Sequence, residues 1–334
     1  MTSPALRRTA ASFALVGLAT AGLTAVANPA DAAIEYGSVG GSFYTYESEG
    51  GPSCTTPTPV SGSDNAEWVD NGVPVTKSYS STTTYTRTDA ATDKVVVQTS
   101  GTATVAAGPI SGGAAPATIT GSADVTASAT STLASTGCAV SGNGRRGASG
   151  SFTLTQPMWA TVSGSGNGTG TGSIYIRDET SGTGIELGNR GSGSTTVLLV
   201  PGDVYVDFEV YADVYATGSR EESKAYSGTF RIDLQPVGAA GAPSGKAAGY
   251  VQFGARDCAT GNIAAAVTKK AKKKARSVLI KANGAKVAKL KGKKLKPKTL
   301  ALPAAGGAAA TVTAKVVLKN GKKATVTRSY LACS

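Results

Sequence analysis

The chain is predicted to be all-β: an N-terminal antiparallel β-sandwich followed by a small C-terminal β-sandwich. Three observations predict it. Several Thr-, Val- and Tyr-rich runs alternate apolar and polar residues with a period of two. Gly and Ser part these runs at short intervals, as turns between strands require. Segments with a helical period are scarce.

The clearest strand is Asp203 to Tyr215, "DVYVDFEVYADVY". Val204, Val206, Phe208, Val210, Ala212 and Val214 fall on one face, and Asp203, Tyr205, Asp207, Glu209, Tyr211, Asp213 and Tyr215 on the other. "TTVLLV", the Pro201-Gly202 turn and this strand read as one hairpin. "SGTFRIDL" follows, with Phe230, Ile232 and Leu234 on a common face. Upstream, "YTYE", "TTTYTRT", "KVVVQTSGTATV" and "GSIYIR" have strand composition, and short strands at this spacing suggest a sandwich. "LLVPGDVYVDFEVYA" resembles a hairpin of extracellular bacterial β-sandwich modules, jelly-roll and carbohydrate-binding ones included. It departs from their Leu-x-x-Gly-x-Tyr pattern, with Val204 where Tyr would stand. The resemblance covers about fifteen residues and implies a jelly-roll-like fold.

Near the C-terminus, "RSVLIKANGAKVAKL" and "TVTAKVVLKNGKKATVTRSYLAC" each place Asn-Gly between strand-like runs, at Asn283-Gly284 and Asn320-Gly321. Asn-Gly tolerates the positive φ angles of a type I′ hairpin turn, so two hairpins are expected. With "RDCATG" at its start, this module resembles the immunoglobulin-like C-terminal domains of actinobacterial exported proteins. The resemblance spans the last ~80 residues and implies a fold and a compartment, but no activity.

Residues 1–32 read as a secretory signal. Arg7 and Arg8 precede an apolar run, Ala10 to Ala27, and Ala30-Asp31-Ala32 offers small residues at the cleavage positions. No second run is long and apolar enough to span a bilayer. The expected localisation is secreted or extracellular, including cell-wall association. The four cysteines, Cys54, Cys138, Cys258 and Cys333, fit disulfides in an exported chain and lack metal-site spacing. Of the three pairings four cysteines allow, Cys54–Cys138 with Cys258–Cys333 keeps each bridge inside one domain and is expected.

The formal charge of +12 hides a division. From Lys246 onward there are 21 Lys and Arg against a single acid, Asp257; the rest of the chain holds the remaining 12 basic and 20 acidic residues. Between the two parts lies "PVGAAGAPSGKAAG", small residues with nothing bulky to bury. The expected organisation is a signal over 1–32, an acidic sandwich over 33–240 (one domain or two), a flexible linker over 241–255 and a basic immunoglobulin-like domain over 256–334.

Much chemistry is absent. The chain contains no histidine, which removes Ser-His-Asp and Cys-His catalysis and nearly all catalytic zinc sites. Neither Ser-x-x-Lys nor Gly-x-Ser-x-Gly occurs. "GNGRRG", Gly142 to Gly147, matches Gly-x-Gly-x-x-Gly, but the following "ASGSFTLT" lacks the helical period a phosphate site needs. No cofactor and no metal are expected. Asp207 and Glu209 share a strand face about 6.6 Å apart, a spacing that inverting glycosidases use. A solvated strand face explains the same pattern more simply, and the chain is expected not to be an enzyme.

Two binding readings follow. Tyr205, Tyr211 and Tyr215 interleaved with Asp207, Glu209 and Asp213 offer flat rings beside hydrogen-bond acceptors, a mixture that suits sugars. The lysine runs, with Lys269, Lys270, Lys272, Lys273, Lys274, Arg276, Lys291, Lys293, Lys294, Lys296 and Lys298 as the expected contacts, suit a polyanion. Lysine supplies compact charge without base or sugar specificity. The expected role is a non-enzymatic envelope or extracellular protein, held by its basic module to an anionic, teichoic-acid-like polymer. The alternative is a carbohydrate-binding module or carboxylate-based glycan hydrolase on the first sandwich.

Overall fold

Alternation in the sequence becomes pleat in the structure, a computed structural model that describes residues 34–47, 54–55, 61–110, 116–132, 136–188, 191–218 and 221–334. The expected export signal and its Ala30-Asp31-Ala32 site lie outside the described residues. The chain is all-β, as the period-two runs predict.

The first part contributes β1 (Ile34–Glu47), β2 (Cys54–Thr55), β3 (Ser61–Glu67), β4 (Val75–Arg87), β5 (Ala90–Ala107), β6 (Ala117–Ser131) and β7 (Thr136–Leu154). Then come β8 (Met158–Gly168), β9 (Thr171–Asp178), β10 (Gly184–Gly188), β11 (Gly191–Leu199), β12 (Gly202–Gly218) and β13 (Glu222–Pro236). They form a six-stranded sheet, β10-β9-β12-β7-β1-β3, and a seven-stranded sheet, β11-β8-β13-β6-β5-β4-β2. Their inner faces share one hydrophobic core. Phe208 on β12 meets Phe230 on β13 across it with ring centroids 4.6 Å apart. The predicted apolar face of β12, Val204 through Val214, is buried at every alternate position. Each valine and the phenylalanine of this face is worth roughly 1.5–3 kcal/mol of transfer free energy, Ala212 less.

The strand Asp203–Tyr215 is present, but its expected hairpin is not. β11 pairs with β8 in one sheet, while β12 pairs with β7 and β9 in the other. Pro201-Gly202 therefore carries the chain from sheet to sheet. Alternation reports that a strand has one buried face; it carries no record of which neighbour supplies the hydrogen bonds. Asp178 fixes the crossover. It is fully buried and accepts from the backbone N–H of Thr180 (2.9 Å), Ser181 (2.9 Å) and Val200 (2.7 Å).

"GNGRRG" lies within β7, which is strand throughout, so no helix N-terminus follows it. Its inward positions are Gly142, Gly144 and Arg146. A Cβ on Gly142 would stand 2.4 Å from Val97 Cγ1, so the bare backbone lets the facing sheets approach. Arg146 then fills the interior at 1% exposure. Its Nη1 donates to the carbonyls of Ser42 (3.2 Å) and Arg145 (2.6 Å), and its Nε has no partner among the described residues. Burial lowers its pKa.

The second part comprises β14 (Val251–Arg256), β15 (Ile263–Val267), α1 (Lys269–Lys274), β16 (Ala275–Ala282), β17 (Ala285–Lys291), β18 (Lys298–Leu302), β19 (Ala310–Leu318) and β20 (Lys323–Tyr330). A three-stranded sheet, β14-β15-β18, and a four-stranded sheet, β17-β16-β19-β20, enclose a second core. Asn283 and Gly284 both have positive φ (48° and 79°), as a two-residue type I′ turn demands. The second Asn-Gly behaves differently: only Gly321 has positive φ. There the loop is wider, closed by Leu318 N–H donating to the Lys322 carbonyl at 2.8 Å, while Asn320 Oδ1 accepts from Lys322 N–H.

The bridges are Cys54–Cys138 and Cys258–Cys333. The stretch expected to be a flexible linker is paired instead. Ala240 and Ser244 bridge antiparallel to Tyr330 and Thr327, Ala247 is fully buried, and β14 already begins at Val251. Small side chains leave its backbone free to lie along β20, whose edge satisfies the N–H and C=O groups. Trp159 Nε1 also donates to the Ala332 carbonyl at 3.0 Å.

Candidate functional site

The predicted site residues fall on two parts of the surface, and only those of β12 share one sheet face. The first belongs to the basic module. Lys269, Lys270, Lys272, Lys273 and Lys274 lie on the short helix α1, whose one buried residue is Ala271. Thr268 caps it, its Oγ1 accepting from Ala271 N–H and donating to the Gly249 carbonyl. The run is thus a folded, lysine-studded turn. Arg276 is exposed on β16, Lys291 ends β17, Lys293 and Lys294 sit in a 3-10 turn, Lys296 is exposed, and Lys298 opens β18 half-buried. These residues surround the module rather than forming one cluster.

The register of the four-stranded sheet assembles a tighter group. Lys289 on β17 lies beside Leu279 on β16, which lies beside Lys315 on β19. Next to that row, Lys286 pairs Lys281; on its other side, Lys291 pairs Ser277, which neighbours Val317, itself opposite Lys323. Six lysines therefore share the outer face, with neighbours about 5–10 Å apart by strand geometry. Of the six, only Lys291 was among the expected contacts; Lys281, Lys286, Lys289, Lys315 and Lys323 were not. Only the pairing of distant strands places them, although each occupies a polar slot in an alternating run.

Among the described residues, no salt bridge joins a lysine of this module to a carboxylate. The module's single acid, Asp257, accepts from Ala259 N–H and Thr260 Oγ1 and so serves its own turn. The spacing of the six ammonium groups falls near the Debye length of about 10 Å at 0.1 M salt, so they act as one field rather than as separate charges.

The second face is the outer side of the six-stranded sheet. Tyr205, Asp207, Glu209 and Tyr215 on β12 point there half-buried, with Tyr211 and Asp213 exposed. β12 sits between β9 and β7, away from any edge. Registers across β1, β7 and β12 align Tyr36–Ser151–Tyr205, Ser38–Ser149–Asp207, Gly40–Gly147–Glu209, Ser42–Arg145–Tyr211, Tyr44–Asn143–Asp213 and Tyr46–Ser141–Tyr215. The sequence reading found one strand of this surface and missed the tyrosines of β1, which are about half exposed.

Glu209 is ion-paired to Arg145, and Asn143 donates to Asp213. Burial raises the pKa of Asp207 and of Glu209, with Arg145 pulling both back down. Glu209 differs from Asp207 in also accepting a hydrogen bond from Arg145 and in feeling the Asp207 charge. No cluster of potential metal ligands occurs among the described residues. Nor is any helix there long and apolar enough to cross a membrane.

No family model matches the chain, and no curated protein matches it. Solved structures that match include the adhesin domain of Epf from Streptococcus pyogenes, at 8% identity and a TM-score of 0.15, covering 78% of this chain and 90% of that one. Another is a polysaccharide lyase at 11% identity and a TM-score of 0.15, covering 86% of this chain and 38% of that one. At these scores neither likeness bears on what this chain does.

Proposed function

We propose that the protein is an exported, non-enzymatic binding protein whose basic C-terminal module holds it to an anionic envelope polymer. One observation carries the reading: Lys281, Lys286, Lys289, Lys291, Lys315 and Lys323 share one sheet face, and no described carboxylate pairs with any of them. Ammonium groups held this close repel one another, and a polymer bearing phosphates or carboxylates at regular intervals relieves that repulsion while releasing its own counterions. The lysines of α1 add to the same field from the end of the sheet, where Lys319 N–H donates to the Lys274 carbonyl at 2.9 Å. Two disulfides and the export signal fit an oxidising compartment.

The test is extraction of the full mature chain from washed cells at increasing ionic strength. The wild type is expected to leave as salt screens the contacts, and Lys281→Gln/Lys289→Gln/Lys315→Gln to leave at lower salt. Equal retention of the triple variant and the wild type overturns the reading, as does binding to free DNA or anionic vesicles in preference to the wall polymer.

A further inference from the structure

We propose that the outer face of the six-stranded sheet is a binding trough for an extended, uncharged polysaccharide chain, distinct from the lysine face. The argument begins with shape. Midway along the face, the row Gly40–Gly147–Glu209 places two residues without side chains next to each other. A Cβ on Gly147 would stand 2.0 Å from the Phe208 carbonyl oxygen, and one on Gly40, 2.1 Å from that of Asp64. The floor there is bare backbone that no other residue can fill. With serines on either side, it opens a depression of about 260 Å³ between Tyr36, Asn65 and Asp207.

A second depression of about 470 Å³ lies further along the same strands, between Tyr44, Tyr46, Asn143 and Asp213. Six residues separate Asp207 from Asp213 on one strand, about 20 Å at strand rise. A single sugar ring fills only one depression, whereas a chain of several sugars spans both.

Chemistry then narrows the ligand. Tyr36, Tyr44 and Tyr46 are 55%, 48% and 52% exposed, unusual for large rings on a surface this rich in Ser and Thr. Tyr44 and Tyr46 are stacked, nearly parallel with ring centroids 6.0 Å apart, and the ring face each turns away from the other suits the C–H face of a pyranose. Hydroxyl groups would donate to the carboxylates, and the carboxylate of Asp207 has no hydrogen-bond partner among the described residues. Across the two depressions Asp207, Glu209, Asp213 and Glu222 outnumber Arg145 and Lys224, so an anionic glycan is repelled and a neutral one is not.

The experiment incubates the full mature chain, in 0.5 M NaCl to silence the lysine face, with immobilised dextran, mannan, β-1,3-glucan and arabinogalactan, and with polygalacturonate as the anionic polymer. Retention on at least one neutral polymer is expected. Tyr36→Ala and Tyr44→Ala should each weaken it about threefold to tenfold, the range one aromatic contact supplies. Both side chains are exposed, so these variants keep the core; Asp207→Asn provides a second probe that leaves the rings in place. The proposal is overturned by retention on none of the neutral polymers, by tyrosine variants that bind like wild type, or by preference for polygalacturonate. Because the assay runs at high salt, its result stands apart from that of the cell-extraction experiment.

Discussion

The guanidinium of Arg146 lies 5.0 Å from the centroid of the Tyr79 ring, and its Nη2 donates to the Tyr79 carbonyl at 3.2 Å, deep between the two sheets of the first sandwich. Carbonyl dipoles and a ring face stand where a carboxylate partner would be expected. Such a site recovers only part of the desolvation cost of a buried charge. The side chain's length fills space left by Gly41 and Gly101, where a Cβ would come within 2.5 Å and 2.9 Å of Arg146 atoms. Arg146→Met, which keeps the volume, is expected to cost under about 1.5 kcal/mol. Arg146→Ala, which opens a cavity, should cost about 2–4 kcal/mol. Urea unfolding of the two variants decides it: equal losses would show that the charge, and not the filled volume, matters.

Asp178 holds the sheet-to-sheet crossover through three accepted N–H groups. Burial alone would raise its pKa, but hydrogen bonds from Ser181 and Val200 outweigh that and hold it low. A folded-state pKa below the unfolded value of about 3.9 means that its stabilisation is present above that pH and disappears as pH falls through the folded value. Asp178→Ala is expected to destabilise the chain by about 3 kcal/mol at pH 7 by orphaning buried donors. The gap between wild type and Asp178→Asn should narrow between pH 5 and pH 2, which thermal melts across that range would record. A constant gap contradicts it.

For Asp207 the sign reverses. Its pKa is raised, chiefly by burial, so the folded state binds the proton more tightly than the unfolded chain does. The penalty is absent below the unfolded pKa and fully developed above the folded one. Asp207→Asn should therefore raise the melting temperature at pH 7 and leave it unchanged at pH 3. A variant that melts lower than wild type at pH 7 would show that the carboxylate stabilises the native state.

The disulfides close long loops, with sequence separations of 84 and 75 residues. In the chain-entropy model each restricts the unfolded state by about 4.5 kcal/mol. Cys258→Ser/Cys333→Ser should lower the stability of the small C-terminal core more visibly than Cys54→Ser/Cys138→Ser lowers that of the larger one, because the smaller core has less buried area to fall back on. Hydrogen exchange resolved by segment would report the two losses separately.

How much of this could be read from residues alone depends on range. The alternation of Asp203–Tyr215 and the paired positive φ angles at Asn283-Gly284 are local properties, and the structure has both. The partner of β12 was misjudged because a hairpin and a crossover share the same turn residues. The lysine row joining Lys289 to Lys315, and the approach of Tyr36 to Tyr205 across Ser151, depend on register between strands far apart in sequence, which no local pattern encodes. Arg146 was invisible as a core residue because charged side chains seldom occupy one.

The four-stranded sheet of the basic module has two rims, and each is guarded differently. Along β20 the chain's own preceding segment occupies the hydrogen-bonding groups through Ala240 and Ser244. Along β17 no described strand pairs with them, but Lys286, Lys289 and Lys291 line that rim, and a second copy arriving there would bring the same cations. The charge that would grip an envelope polymer thus also forbids this domain from stacking into fibres with itself, and neutralising those lysines would remove both properties at once.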